Sequence, residues 1–176
     1  MAGQRLTDKT ALEEQAGSGD LLMLVDVNDT TGSSAGTSKK TDFKYVIQTD
    51  KFSLNNTEVQ ALSTTSKTLV GALSGYMPTI FNVTVLCTYA SLTELSSNNL
   101  NFGYIDTDDT HYWKQIRDCM NGKTTDITYQ LQAAPSNNGT CSETILNKPF
   151  VMWSNAAFTG GWSCDVYVTY AYTKII

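Results

Sequence analysis

The sequence predicts a mainly β protein with an N-terminal strand-and-loop segment, a short helical neck and a C-terminal antiparallel β-sandwich of jelly-roll type. Stretches in which apolar and polar residues alternate recur through the second half of the chain, and turn-forming runs such as "MNGK" and "TGGW" separate them. The composition agrees, because the 176 residues include 25 Thr, 15 Ser and 12 Asn. Thr suits a pleated surface through its β-branched side chain, whereas Asn and Ser favour turns.

Residues 78–176 carry the clearest strand patterns. In "FNVTVLCTY" an apolar side chain falls at every second position from Phe81 to Tyr89, with mostly polar residues between them. "CDVYVTYAYT" and "TDITYQLQ" repeat this alternation, and "LNFGYI", "HYWKQI" and "PFVMWS" are further strand candidates. A period of two is typical of a strand with one buried face. Several such strands without intervening helices predict an antiparallel sandwich.

Residues 1–52 are predicted to form a separate N-terminal segment. The run from Leu21 to Val27 is apolar except for Asp26 and predicts a strand, and "KKTDFKYVIQ" is a candidate for a second one. Between them, residues 28–38 contain no large apolar side chain and predict a slack loop. One hairpin is too small to be stable alone in water. We therefore expect this segment to pack against its own C-terminal domain, a sister chain or a foreign surface.

Residues 53–77 carry the helical pattern of the neck. Thr57 is predicted to cap the helix, with Gln60 three residues later, and Gly75 is predicted to end it. Between these ends, apolar residues follow steps of three and four, the spacing of a heptad. Two interpretations fit this pattern: an amphipathic helix on the core, or a trimer interface at which equivalent positions of several chains meet. The predicted interface positions are Val59, Leu62, Ser66, Leu69 and Leu73.

The charge balance disfavours nucleic acid as a partner. The net charge is −5 at pH 7 and the pI is about 4.7, whereas a phosphate-binding surface needs clustered Lys and Arg. The doublet Lys39-Lys40 fits a solvated loop. No apolar run approaches the length that crosses a bilayer, and the first residues lack the apolar stretch of a secretory signal. We therefore expect synthesis in the cytoplasm and no membrane partner.

The four cysteines are Cys87, Cys119, Cys141 and Cys164, and their spacing matches no common metal site. In a reducing cytoplasm we expect them to be buried or half-buried thiols. The alternative is a disulfide that forms after release from the cell.

Nothing in the sequence points to catalysis. His111 is the single histidine, and no nucleophile elbow, phosphate-binding loop, dinucleotide turn or metalloprotease motif is present. The acidic run 106–110 lacks the glycine and the distant glutamate of a calcium loop, and predicts a charged hairpin tip. The sequence therefore predicts no catalytic residue, no metal site and no cofactor.

Five aromatic residues raise the question of a carbohydrate-binding platform. Aromatic residues on strands are more often part of a core, and we prefer that interpretation. The five are Tyr104, Tyr112, Trp113, Trp153 and Trp162.

Residues 6–47 combine several features in a distinctive order. "LTDKTAL" is followed by a spacer, an Asp-Leu-Leu strand that ends in Val-Asp, a Thr/Ser/Gly loop, and the turn Gly36-Thr37-Ser38-Lys39-Lys40 into a second short strand. This order resembles the N-terminal module of tailed-phage virion appendages, notably head (capsid) fibre proteins and some tail fibres. The remainder of the chain departs from the fibres of that family.

The resemblance implies a homotrimer that is made in the bacterial host cytoplasm and located in the virion. Its N-terminal part would be held at the capsid or another virion protein, and its β domain would be exposed. The apolar run would then be an anchor to which the loop gives reach. The alternative function is a tail-fibre or decoration module that binds host-surface glycan through exposed Trp113 and Trp162. The implied attachment residues are Leu21, Leu22, Leu24, Val25, Lys39, Lys40 and Phe43.

Overall fold

The chain divides into two compact units, Met1–Val46 and Ile47–Ile176. The computed structural model describes residues 21–32, 34, 36–42, 46–104, 112–132 and 146–174. The division falls before the predicted boundary at residue 52, which lies inside a strand of the second unit, Gln48–Leu54. Residues 47–52 therefore belong to the sandwich and not to the N-terminal segment.

The first unit contains an antiparallel hairpin. Its strands are β1 (Leu21–Asp26) and β2 (Thr37–Asp42), and the register pairs Leu21 with Asp42 and Asp26 with Thr37. The predicted first strand is confirmed. The second strand begins at the Gly-Thr-x-Lys-Lys turn itself, directly after Gly36, whose φ of 113° favours glycine. Residues 43–45, in the middle of the candidate second strand "KKTDFKYVIQ", lie outside the described residues.

The described part of the second unit contains eight strands in two four-stranded sheets. One sheet has the order β3-β10-β5-β8 and the other has the order β4-β9-β6-β7, with antiparallel pairing between neighbours. This order is the double Greek key of a jelly roll, so the predicted fold class is confirmed. The strands are β3 (Gln48–Leu54), β4 (Lys67–Val70), β5 (Tyr76–Tyr89), β6 (Leu100–Gly103), β7 (Tyr112–Ile116), β8 (Ile127–Gln132), β9 (Phe150–Ser154) and β10 (Trp162–Lys174).

The two longest strands, β5 and β10, pair along almost their whole length and supply the centre of the core. The inward positions Val83, Val85, Val166 and Val168 are fully buried, which confirms the predicted alternation. Phe81 is the exception, because it is 42% exposed although the period of two predicted it inside. The register with β10 shifts here, from Asn82 opposite Thr169 to Ile80 opposite Tyr170, so that Phe81 is the extra residue of a bulge. On either side of the bulge, different sequence positions of β5 face the core.

The helical neck is wrong in its extent. The helix α1 spans only Asn56–Ala61. It begins with a capping box between Asn55 and Glu58, two residues before the predicted pair Thr57 and Gln60. The helix ends where Ser and Thr follow, because these residues have low helix propensity and compete for backbone hydrogen bonds. The chain then enters β4, which pairs with β9.

Burial contradicts three of the five predicted trimer-interface positions on the neck. Val59, Leu62 and Leu69 are at most 2% exposed and belong to the core of their own chain. Ser66 and Leu73 are half-buried, and Leu69 lies in β4 and not on the helix. The heptad spacing arose because the short helix and the following strand both turn apolar residues towards the same core. Three of the five positions, Val59, Leu62 and Leu69, are therefore core positions, although only part of the set lies on the helix.

Candidate contact sites

Two aspartates and one lysine hold the loop of the N-terminal hairpin. Lys39 Nζ lies 3.1 Å from Asp26 Oδ2 and 2.8 Å from Asp29 Oδ2, so that a single ammonium bridges the end of β1 and the loop. Asp26 Oδ1 also accepts a hydrogen bond from the backbone N–H of Asn28. Lys39, one of the two lysines of the predicted attachment set, is therefore already paired with carboxylates of its own hairpin.

Hydroxyl groups add to this network. Asp29 Oδ1 accepts hydrogen bonds from the backbone N–H and the hydroxyl of Thr31, at 3.0 and 2.6 Å. Thr37 Oγ1 accepts a hydrogen bond from the backbone N–H of Gly32 at 3.0 Å. The described loop residues are thus tied to one another and to β2. The prediction of a slack loop that gives the anchor reach is wrong for these residues.

The ion pairs make the hairpin sensitive to acid. The hydrogen bond from Lys39, followed by those from Thr31, lowers the pKa of Asp29 from 3.8 to about 2. A lowered folded-state pKa means that the contribution of Asp29 is complete above about pH 4 and is lost as the pH falls towards 2. In an NMR titration we expect the Asp29 carboxyl to titrate near pH 2, and Lys39→Ala to raise that midpoint.

Lys40 provides the matched control for this titration. It follows Lys39 in β2 and is exposed, and successive strand residues point to opposite faces. We expect Lys40→Ala to leave the Asp29 midpoint unchanged within a few tenths of a pH unit. An equal shift in both variants would show that the general charge of β2, and not the observed ion pair, sets the pKa.

The remaining attachment residues are placed only in part. The backbone of β1 carries four of them, and the register sets Leu24 opposite Lys39 and Leu22 opposite Thr41. Phe43 lies outside the described residues. The assignment of all seven residues to attachment stays a prediction. The four on β1 are Leu21, Leu22, Leu24 and Val25.

In the second unit, a fully buried glutamate organises a loop that the sequence did not single out. Glu94 has no exposed side-chain surface, and its carboxylate accepts backbone N–H groups of Ser96, Thr159 and Gly160 at 2.7 to 3.0 Å. The hydroxyls of Ser96 and Thr159 also donate to it. The backbone carbonyl of Glu94 accepts the N–H of Gly122 at 2.7 Å. One residue thus joins three loops, which we call the Glu94 cluster (residues 91–96, 121–122 and 159–161).

The pKa of Glu94 reflects two opposing effects. Burial acts to raise it, but the hydrogen bonds from Ser96, Gly160 and Thr159 together outweigh burial, and the pKa lies below its ordinary value. The side chain is therefore a carboxylate at neutral pH. Every donor that faces it is a backbone N–H or a hydroxyl, so it needs no cation to remain charged.

Two glycines allow the loops of the Glu94 cluster to approach each other. A Cβ on Gly160 would lie 2.7 Å from the indole Cδ1 of Trp162 and 2.9 Å from the backbone nitrogen of Glu94. A Cβ on Gly161 would lie 2.5 Å from Ser91 Oγ and 3.0 Å from the backbone nitrogen of Leu92. No larger residue fits either position without movement of the neighbouring loop. The sequence of "TGGW" predicts only a turn, because this close packing depends on residues that are distant in sequence.

The Glu94 cluster presents two leucines to solvent. Leu92 is 64% exposed and Leu95 is 80% exposed, on either side of the fixed Glu94. The backbone beside Leu92 is held by a 2.7 Å hydrogen bond from Gly161 N to Leu92 O. A rigid loop can therefore display apolar side chains without a further ordering cost on contact. Single exposed leucines are common, however, and this pair alone assigns no partner.

Three of the five aromatic residues considered for a carbohydrate platform are buried. Tyr104 and Trp153 are 7% and 5% exposed and Trp162 is fully buried, so the interpretation of these residues as core is confirmed. Trp113 is half-buried, with its ring 5.7 Å from that of Phe150 in an edge contact. The side chain of Tyr112 lies outside the described residues. Trp162 therefore offers no surface on which a sugar could stack.

The described residues provide little for small-ligand chemistry. They contain no group of three His, Cys, Asp or Glu side chains arranged to hold a metal ion, and no helix among them is long and apolar enough to cross a membrane. An open depression of about 260 Å³ beside α1 is lined by Leu54, Leu62 and the ion pair of Glu58 with Lys67. It is smaller than the usual ligand pocket. His111 and the acidic run 106–110 lie outside the described residues.

No protein-family profile and no curated protein matches the sequence. The chain is similar to the cyanophage Pam1 capsid asymmetric unit, with a TM-score of 0.39 and 14% identity over 97% of both chains. It is also similar to a structure of Triatoma virus, with a TM-score of 0.32 and 10% identity over 97% of this chain and 76% of that chain. For rhinovirus-B5 the TM-score is 0.30, at 10% identity over 100% and 85%. These TM-scores are too low for the likeness to carry an argument about function.

Proposed function

We propose that this protein is a non-enzymatic structural component of a phage virion, a head fibre that is held on the capsid by its N-terminal unit. The observation that carries the proposal is the hairpin of β1 and β2. It lies in the segment whose sequence resembles the attachment module of phage appendages, and it forms a compact unit of its own. The strand, loop and glycine turn of that resemblance coincide with β1, the held loop and Gly36.

The size of the hairpin supports a role in contact. A two-stranded sheet buries too little apolar surface to be stable alone in water. The sequence of β1 is nevertheless LLMLVD, five apolar residues in a row. Each large aliphatic side chain removed from water contributes about 1.5 to 3 kcal/mol, so docking of this strand would stabilise both the hairpin and the contact.

The jelly roll supports the proposal at the level of fold. Jelly rolls recur in viral capsid and lectin domains, although a fold alone does not determine a function. The trimeric state implied by the resemblance is part of the proposal, and several linked copies would strengthen a weak contact through avidity. The buried positions of the neck cannot form its interface. A glycan partner has no described site, because two of the three tryptophans belong to the core.

The test is binding of the full-length chain to capsids assembled without this protein. We expect the double substitution Leu22→Asp and Leu24→Asp to reduce co-sedimentation with these capsids at least tenfold, because carboxylates cannot enter an apolar contact. The matched control is the double substitution Leu92→Asp and Leu95→Asp. These two leucines lie at exposed positions of the sandwich. We expect this control to bind as the unsubstituted protein does.

Circular dichroism and thermal unfolding serve as the check that both variants keep the folded sandwich. Undiminished binding of the β1 variant would contradict the anchor. Loss of binding in the control alone would move the contact to the Glu94 cluster. A protein that binds no capsid in any form would contradict the proposed function as a whole.

A further inference from the structure

Three cysteines meet inside the sandwich. Cys87 in β5 and Cys164 in β10 are direct register partners, and their Sγ atoms lie 3.4 Å apart. The thiol of Cys119, in the turn after β7, lies near enough to lower the pKa of Cys87. All three are free thiols and at most 4% exposed, which confirms the expectation of buried thiols for the described cysteines.

The backbone already has the geometry of a cross-strand disulfide. Directly opposed residues of antiparallel strands have Cα atoms about 4.5 to 5.5 Å apart, within the range that a disulfide spans. The sulfur atoms, 3.4 Å apart, need to approach by about a further 1.4 Å to reach the S–S bond length of about 2.05 Å. Shared metal binding does not explain the cluster, because the described residues contain no group arranged as a metal site.

We propose that Cys87 and Cys164 form a disulfide when the protein meets an oxidising, low-molecular-weight disulfide, and that Cys119 remains a thiol. The pair is reduced in the cytoplasm and cross-linked outside it. The proposal depends on the geometry of the sandwich alone, and it holds whether or not the protein is a virion component.

The reaction is two successive thiol–disulfide exchanges. The thiolate of one of the two cysteines, here written as Cys87, attacks one sulfur of the small disulfide, which forms a mixed disulfide and releases one small thiolate. That thiolate takes the proton of Cys164, whose sulfur then attacks the Cys87 sulfur and releases the second small thiolate. The two protein thiols lose two electrons, and the small disulfide is reduced to two thiols after the second proton is taken up.

The hydrogen bonds of the folded cluster set the relative acidity of its thiols. Cys164 donates to the Cys87 sulfur. Interaction with Cys119 and Cys164 lowers the pKa of Cys87, and the same interactions raise the pKa of Cys119 and of Cys164. Cys87 is therefore the most acidic of the three, and the thiolate is the reactive form. Because the cluster is buried, the reagent reaches it only while the core is open.

The experiment therefore refolds the full-length chain in a mixture of reduced and oxidised glutathione. Free thiols are then blocked with N-ethylmaleimide, and the unreduced protein is digested with trypsin and a glutamate-specific protease. Cleavage after Glu94, Lys123 and Glu143 places the four cysteines on four different peptides. We expect mass spectrometry to find one linked pair, that of Cys87 and Cys164. We also expect the Tm to be about 5 to 10 °C above that of the reduced protein.

Two variants complete the test. We expect Cys119→Ser to retain the linked pair of peptides, and Cys164→Ser to lose it together with the rise in Tm. The proposal is overturned if the wild-type protein carries N-ethylmaleimide on both Cys87 and Cys164 after oxidative refolding. It is equally overturned if Cys87 is linked to Cys119 or Cys141. The wild-type peptide map decides the matter even if a variant fails to fold.

Discussion

Glu94→Ala is expected to lower the free energy of unfolding by about 3 to 5 kcal/mol, because it leaves three backbone N–H groups in the Glu94 cluster without an acceptor. These groups belong to Ser96, Thr159 and Gly160. Because Glu94 is fully buried, they find no ready replacement acceptor. Urea unfolding followed by tryptophan fluorescence measures the loss. We expect the free energy of unfolding of Glu94→Gln to fall between those of the unsubstituted protein and Glu94→Ala. The glutamine amide retains one acceptor oxygen but turns an N–H towards these donors.

Glu58→Ala is the matched control, a glutamate-to-alanine change at a more exposed position. Glu58 belongs to the capping box of α1 and pairs with Lys67 in solvent, so its loss should cost much less than the loss of Glu94. A similar cost for both substitutions would contradict the role of the Glu94 cluster. Acid adds a second criterion. Because the pKa of Glu94 is lowered, its contribution is complete above the ordinary pKa of a glutamate and is lost as the pH falls through the lowered folded-state pKa.

Trp162→Ala is expected to cost about 3 to 5 kcal/mol, the range measured for large-to-small changes in a core. The indole of Trp162 is fully buried, and its ring lies 5.1 Å from that of Tyr89 in an edge contact. The same denaturant unfolding measures the loss. The variant should therefore lose overall stability. Substitution of an exposed platform residue would instead remove a binding activity and leave stability unchanged.

Two further substitutions define this prediction. Leu95→Ala, at a position 80% exposed, should change the free energy of unfolding by no more than about 0.5 kcal/mol. Trp162→Phe should cost much less than Trp162→Ala, because it retains most of the ring and removes an indole N–H that has no partner among the described residues. A cost below about 1 kcal/mol for Trp162→Ala would contradict the packing described above.

The strands of the sandwich could be predicted because a sheet with one buried face imposes a period of two on the sequence. β5, β8 and β10 all follow it, and Val83 and Val166 lie inside as their positions require. Phe81 could not be placed, since the bulge that turns it outwards depends on the register with β10. The order of strands in the two sheets is likewise a property of long-range pairing and leaves no local pattern.

The helical neck failed for a related physical reason. Val59 and Leu62 lie on or beside a short helix and Leu69 lies on a strand, but all three face one core and so imitate a heptad. The Glu94 cluster left no signal, because a single glutamate in a polar loop looks like a solvated residue. Its importance arises from Thr159 and Gly160, some 65 residues away along the chain. Polar residues that are buried by distant loops are the part of a site that local patterns do not contain.

The place of β10 between β3 and β5 has a consequence for how the molecule is made. A ribosome delivers β3, α1, β4 and β5 long before β10, which is separated from β5 by more than 70 residues. Until β10 emerges, the two earlier strands lack their shared neighbour, and their apolar faces stay exposed to other nascent chains. Completion of this sheet therefore follows translation of β10, and a slow step with a risk of aggregation is intrinsic to the order of its strands.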